Sequence, residues 1–116
     1  MKKCKLSGHY YYKEDGVSDS FGYIFIIGSI IDSEKHKLAY RCLYFDYFSS
    51  VDMIGLTEGY VSSEILSSTY KLVTKDNFLK TFRKYINHAA LFGKAGMSSL
   101  DFLALIEKYE KMQRGR

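Results

Sequence analysis

Three histidines, thirteen carboxylates and two cysteines are the side chains of this 116-residue chain equipped for proton transfer, nucleophilic attack or metal ligation. Their spacing forms no catalytic or metal-binding motif: there is no phosphate-cradling glycine loop, no nucleophile elbow and no closely spaced ligand pair. His36 falls in a polar turn and reads as solvated, and His88 falls near a helix end, where a cation suits the dipole. His9 lies on the outer face of a strand. A small metal-independent ribonuclease needs a histidine and a carboxylate or tyrosine converging beside a basic group. His9, Tyr11 and Arg41 are the residues that would supply it.

Among the acids, Asp46 stands out because it interrupts an aromatic stripe that includes Tyr40, Tyr44 and Phe48. One reading is a carboxyl whose pKa is raised by burial. The other, preferred on sequence alone, pairs it with Arg41 or a lysine, or sets it at a sheet edge, where an inward charge discourages edge-to-edge pairing.

Two surface patterns point to binding. Lys80, Arg83, Lys84 and Asn87 recur at i, i+3, i+4 and i+7, opposite the apolar stripe of a helix whose only acid is Asp76. Lys75, Lys94, Lys108, Lys111, Arg114 and Arg116 extend this basic character. The second pattern is the tyrosine supply: Tyr10, Tyr11, Tyr12, Tyr40, Tyr44 and Tyr47 lie on adjacent strands. Outward tyrosines can stack single-stranded bases or anchor a protein partner, and otherwise sit at the edge of a core with the hydroxyl in water.

The elements that position these residues follow from the period of the apolar pattern. Phe21–Ile31 is the most continuously apolar run, rich in β-branched and aromatic residues, and reads as a central strand covered on both faces. Residues 4–12 alternate with period two, and residues 38–48 read as a third strand. Ser49–Glu64 is weakly patterned, with Gly55 and Gly59 as breakers and a short strand near 56–61, and it offers an acidic contact loop. Residues 65–73 read as a further strand. After Val73 the period becomes helical: helices are expected over 75–92, with Thr74 as cap, and over 99–112, joined through Gly93–Gly96. Strands followed by helices predict one α+β domain spanning 1–116, with a mainly antiparallel four- to five-stranded sheet and a C-terminal helical hairpin packed on one face.

The totals agree with a globular chain: 47% hydrophobic, 26% charged, no proline. The net charge of +4 hides a polarised layout, in which residues 14–64 carry nine acids against three bases and residues 65–116 carry ten bases against four acids. Cys4 and Cys42 read as buried thiols of a reducing compartment, and the start MKKCKLSGHYYYK lacks the apolar stretch of a secretory signal, so a cytoplasmic protein is expected, with no membrane contact. No cofactor or metal is expected. The favoured function is a non-enzymatic protein-binding protein, an inhibitor, immunity or accessory protein acting by surface complementarity. The rival is an RNA- or single-stranded-DNA-binding module that uses the basic helix and the sheet tyrosines. The residues proposed to make contacts are Lys80, Arg83, Lys84, Asn87, His9, Tyr11, Arg41 and Tyr47.

Overall fold

The chain runs β1 (Tyr10–Glu14), β2 (Phe21–Asp32), β3 (Lys37–Phe48), β4 (Met53–Ser62), α1 (Ser63–Thr69), β5 (Lys71–Val73), α2 (Lys75–Tyr85) and α3 (Ser99–Arg114). The computed structural model describes residues 8–16, 18–32, 37–86 and 97–114. All strands pair antiparallel in one sheet of order β4-β3-β2-β1-β5. The expected α+β architecture, with the C-terminal helices α2 and α3 following the sheet and packed on one face of it, is what the chain forms.

Alternation along each strand sends side chains to two different environments. On the first face, Tyr23 and Phe25 of β2, Leu43 and Phe45 of β3 and Ile54 and Leu56 of β4 pack against Phe78 and Phe82 of α2 and Phe102 and Ile106 of α3. The aromatic rings dominate this core. Phe45 lies nearly parallel to Tyr23 at 5.7 Å and meets Phe82 edge-on at 5.2 Å. Phe82 in turn stacks on Phe102 at 5.7 Å. Offset and edge-on pairs of this kind add to the energy of area burial.

Polar tips on the rings lock the helices to the sheet. Tyr23 donates its hydroxyl proton to Asn77 Oδ1 at 2.7 Å, with Thr81 Oγ1 at 3.0 Å. The buried Tyr10 donates to Glu110 at 3.1 Å, and the same carboxylate accepts from Lys75 Nζ at 2.7 Å. One carboxylate therefore joins β1, α2 and α3. α2 starts where its sequence says it should, with the Thr74 hydroxyl accepting from the Asn77 N–H.

The second face carries Ile24, Ile26, Cys42 and Val61, capped by Leu66 and Tyr70. Here the structure corrects the sequence reading. Residues 65–73 are not one strand: Ser62 caps a helix by accepting from the Ile65 N–H, α1 makes about two turns, and only 71–73 is strand. Leu66 and Tyr70 are four residues apart, a spacing that satisfies both period two and the helical period, so the pattern could not separate them. The deciding residue is Ser68, which a strand would have turned inward and which here points its hydroxyl at the Glu64 carbonyl. The weakly patterned 49–64 segment is mostly the ten-residue β4 rather than a loop. β1 runs to Glu14, two residues beyond its expected end; residues 4–7, Cys4 among them, and the helical continuation over 87–92 lie outside the described residues.

Phe45→Ala should lower the unfolding free energy by about 3–5 kcal/mol in denaturant titration, since it empties the centre of the ring stack. Leu100→Ala, at a position 81% exposed, should change it by less than about 0.5 kcal/mol.

Candidate functional site

Register across the second face aligns the residues of interest in a row. Lys13 of β1 pairs with Gly22 of β2, Gly22 with Asp46 of β3, and Asp46 with Gly55 of β4. Asp46 therefore has a glycine on each flank. A Cβ added at Gly22 would come within 2.5 Å of Asp46 Oδ1, so the carboxyl leans over the bare backbone toward β1. Two rows along, a Cβ at Gly59 would meet the ring of Tyr44 from the row between at 2.9 Å. Gly55 and Gly59, read from sequence as breakers, are strand residues, and Gly22 and Gly59 make room for large neighbours on this face.

The sheet-edge and Arg41 accounts of Asp46 do not fit this placement, whereas a lysine, Lys13, is its electrostatic neighbour without forming an ion pair. β3 lies inside the sheet, so Asp46 is not at an edge. Arg41 differs from Asp46 by an odd number of residues, points to the other face, and has its guanidinium 3.6 Å from the Glu58 carboxylate. Among the described residues Asp46 has no hydrogen bond and no ion pair. Burial pushes its pKa up from 3.8 to about 6, against the opposing pull of the Lys13 ammonium. That ammonium lies over the ring of Tyr70, 5.3 Å from its centroid.

Asp46 opens into a groove of about 450 Å³ bounded by Lys13, Glu14, Asp15, Phe21, Phe48 and Thr69. A second groove of about 460 Å³ lies on the same face beside α1, lined by Tyr11, Tyr40, Leu66, Tyr70 and Glu64. Between the two, Tyr44 donates its hydroxyl to the Tyr60 carbonyl at 2.6 Å, and burial raises its pKa. Burial likewise pushes the Cys42 thiol up to about 11, which leaves it protonated and a poor nucleophile.

The other residues singled out from sequence do not converge. His9 is exposed just before β1, and Tyr11 sits on the second face. Arg41 is on the first, so the His9–Tyr11–Arg41 constellation is split by the sheet. Tyr47 lies on the helix-bearing face with its ring 4.5 Å from Tyr85 and its hydroxyl donating to Asp52. Lys80, Arg83 and Lys84 are exposed on α2, as the helical spacing indicated, and Asn87 lies outside the described residues, as does His88. Two bases of the wider patch are engaged, Lys75 with Glu110 and Lys111 with Glu107 at 3.2 Å. The sheet tyrosines do not join this basic face: Tyr10, Tyr12 and Tyr47 are packed beneath or beside the helices, and Tyr11, Tyr40 and Tyr44 are on the far side of the sheet.

Among the described residues no three His, Cys, Asp or Glu side chains converge as a metal site, and no helix is long and apolar enough to cross a membrane. No family model, curated protein or solved structure matches the chain.

The raised pKa of Asp46 has a signed consequence for stability. The folded protein holds this proton more tightly than the unfolded chain, so the contribution is fully favourable below about pH 4 and is lost as pH rises through about 6. Asp46→Asn should therefore stabilise the protein by about 1–2 kcal/mol at about pH 7.5, after allowance for solvent at the groove mouth, and by nothing at about pH 4. Thermal unfolding of both proteins across that range checks it.

Proposed function

We propose that this protein is a small non-enzymatic binding protein, an inhibitor, immunity or accessory protein, that acts by covering part of another protein's surface through the second face of its sheet. The observation that carries this reading is the uneven cover of the two faces. Two helices close the first, whereas the second has the seven-residue α1 and two grooves beside it. Large apolar side chains at and around this side are exposed: Phe48 at 40%, Ile65 at 51% and Leu72 at 63%. Apolar anchors rimmed by polar residues are the usual make-up of a binding patch. The tyrosines of the wider groove are rigid, amphipathic contacts of the kind that dominate such interfaces. The reading places the protein in the cytoplasm, where a free, buried thiol such as Cys42 stays reduced.

One observation favours nucleic acid instead: Lys80, Arg83 and Lys84 form an exposed basic run on α2 with no acidic partner among the described residues. The separation of this run from the sheet tyrosines removes the stacking platform that such a module would use.

Affinity capture with three tagged forms distinguishes the two. A protein partner that survives nuclease treatment should bind the wild type and be retained about tenfold less by Ile65→Arg/Leu72→Arg, two exposed positions whose change should leave the circular dichroism spectrum intact. The same partner should be held equally by Lys80→Glu/Arg83→Glu/Lys84→Glu. Nucleic acid that is released by moderate salt and lost with the triple change would replace this function with the nucleic-acid one.

A further inference from the structure

We propose that the groove over Asp46 is a socket for an arginine side chain presented by the protein partner. This rests on the protein-binding reading above and identifies what one part of that surface recognises.

The argument begins with the carboxyl. Asp46 stands at the wall of an open groove with a bare glycine on either flank, and no described residue donates to it. Asp46 is half-buried, and a carboxylate partly removed from water with no donor among the described residues ionises at a cost that a charged donor entering the groove would offset. Lys13 is positioned to do so but does not: its ammonium lies over the Tyr70 ring, and no ion pair with Asp46 forms. Since no described residue fills that role, the open groove leaves the carboxyl accessible to a donor from outside.

Its chemistry follows from the groove's other residues. Glu14 and Asp15 stand at the rim with Asp46 against the single base Lys13, so an anion is repelled and a cation drawn in. Phe48, 40% exposed, contributes aromatic surface to the same groove. A guanidinium meets both demands. It offers a planar fork of N–H donors that matches a carboxylate, it stacks on aromatic rings, and it is less strongly hydrated than an ammonium and so cheaper to bury. Gly22 keeps the approach to Asp46 Oδ1 clear, since a larger residue there would occupy the carboxyl's own position.

The test uses the full chain, ¹⁵N-labelled, titrated with N-acetyl-arginine-N-methylamide and separately with the citrulline analogue, which has the same shape and no charge. The arginine probe should give saturable shifts at the amides of Gly22, Phe48 and Thr69, with a dissociation constant in the millimolar range. Citrulline should give none. Asp46→Asn should weaken the arginine probe about tenfold or more. Lys13→Met, which removes the competing charge but keeps the apolar stem over Tyr70, should tighten it about two- to threefold. Equal shifts from citrulline, undiminished binding by Asp46→Asn, or no saturable shifts at these amides would overturn the proposal. Such a result alongside a partner that Ile65→Arg/Leu72→Arg still releases would leave the binding function standing and remove only the arginine socket. Loss of the partner's dependence on that face would remove both.

Discussion

β2 and β3 are the strands on which everything else rests, because both are apolar on both sides. Ile24 and Ile26 face one way and Tyr23 and Phe25 the other, and all four are at most 3% exposed. Cys42 and Leu43 make the same pair of demands on β3. A strand buried on both faces forces the rest of the chain to supply two covers, each removing enough apolar area to outweigh the entropy of ordering it. The chain meets the two demands unequally. The eleven-residue α2 and sixteen-residue α3 supply four buried side chains to one face. The other face receives Leu66 and Tyr70 from a helix of seven residues.

That inequality links packing to function. The first face is fixed by ring stacking and by Glu110, whose two oxygens serve Tyr10 and Lys75 and so tie three elements at one point. It is a rigid base with its polar groups satisfied. The second face is where satisfaction is weakest: among the described residues none donates to the half-buried Asp46, and its ordinary tendency to ionise is suppressed accordingly. Natural proteins keep such local conflicts mainly where something else compensates them, and a partner's cation is a compensation that this groove is shaped and charged to accept.

Much of the architecture was legible in the sequence, because long segments with a single period leave little choice. Phe21–Ile31 as the central strand, the alternation through Tyr10–Tyr12 and the switch to a helical stripe at Phe78 and Phe82 all follow from spacing. What was not legible depended on residues whose meaning is relational. Leu66 and Tyr70 fit two periods at once. Gly55 and Gly59 look like breakers until β3 is laid beside them, when they become partners of Asp46 and Cys42 across the pair. The basic face of α2 could be read from its own spacing, but where the tyrosines go relative to it could not, since that requires knowing which side of the sheet the helices choose. His9, Tyr11 and Arg41 were separated by the same parity that fixes Asp46: an odd offset along a strand is enough to place two residues on opposite faces. Asp46 itself was visible as an anomaly, a charge in an aromatic stripe, yet only register shows that Arg41 cannot reach it.

The central claim is that the second face holds a half-buried carboxyl to which no described residue donates, and the most direct measurement is the titration of the Asp46 side-chain carbon by ¹³C NMR in the isolated protein. A midpoint near 6 is the expected result and marks a carboxyl whose partial burial outweighs the pull of Lys13. A midpoint at or below about 4 would mean that the group is hydrated or already hydrogen-bonded, and it would contradict the account of this face as one that awaits a partner's cation.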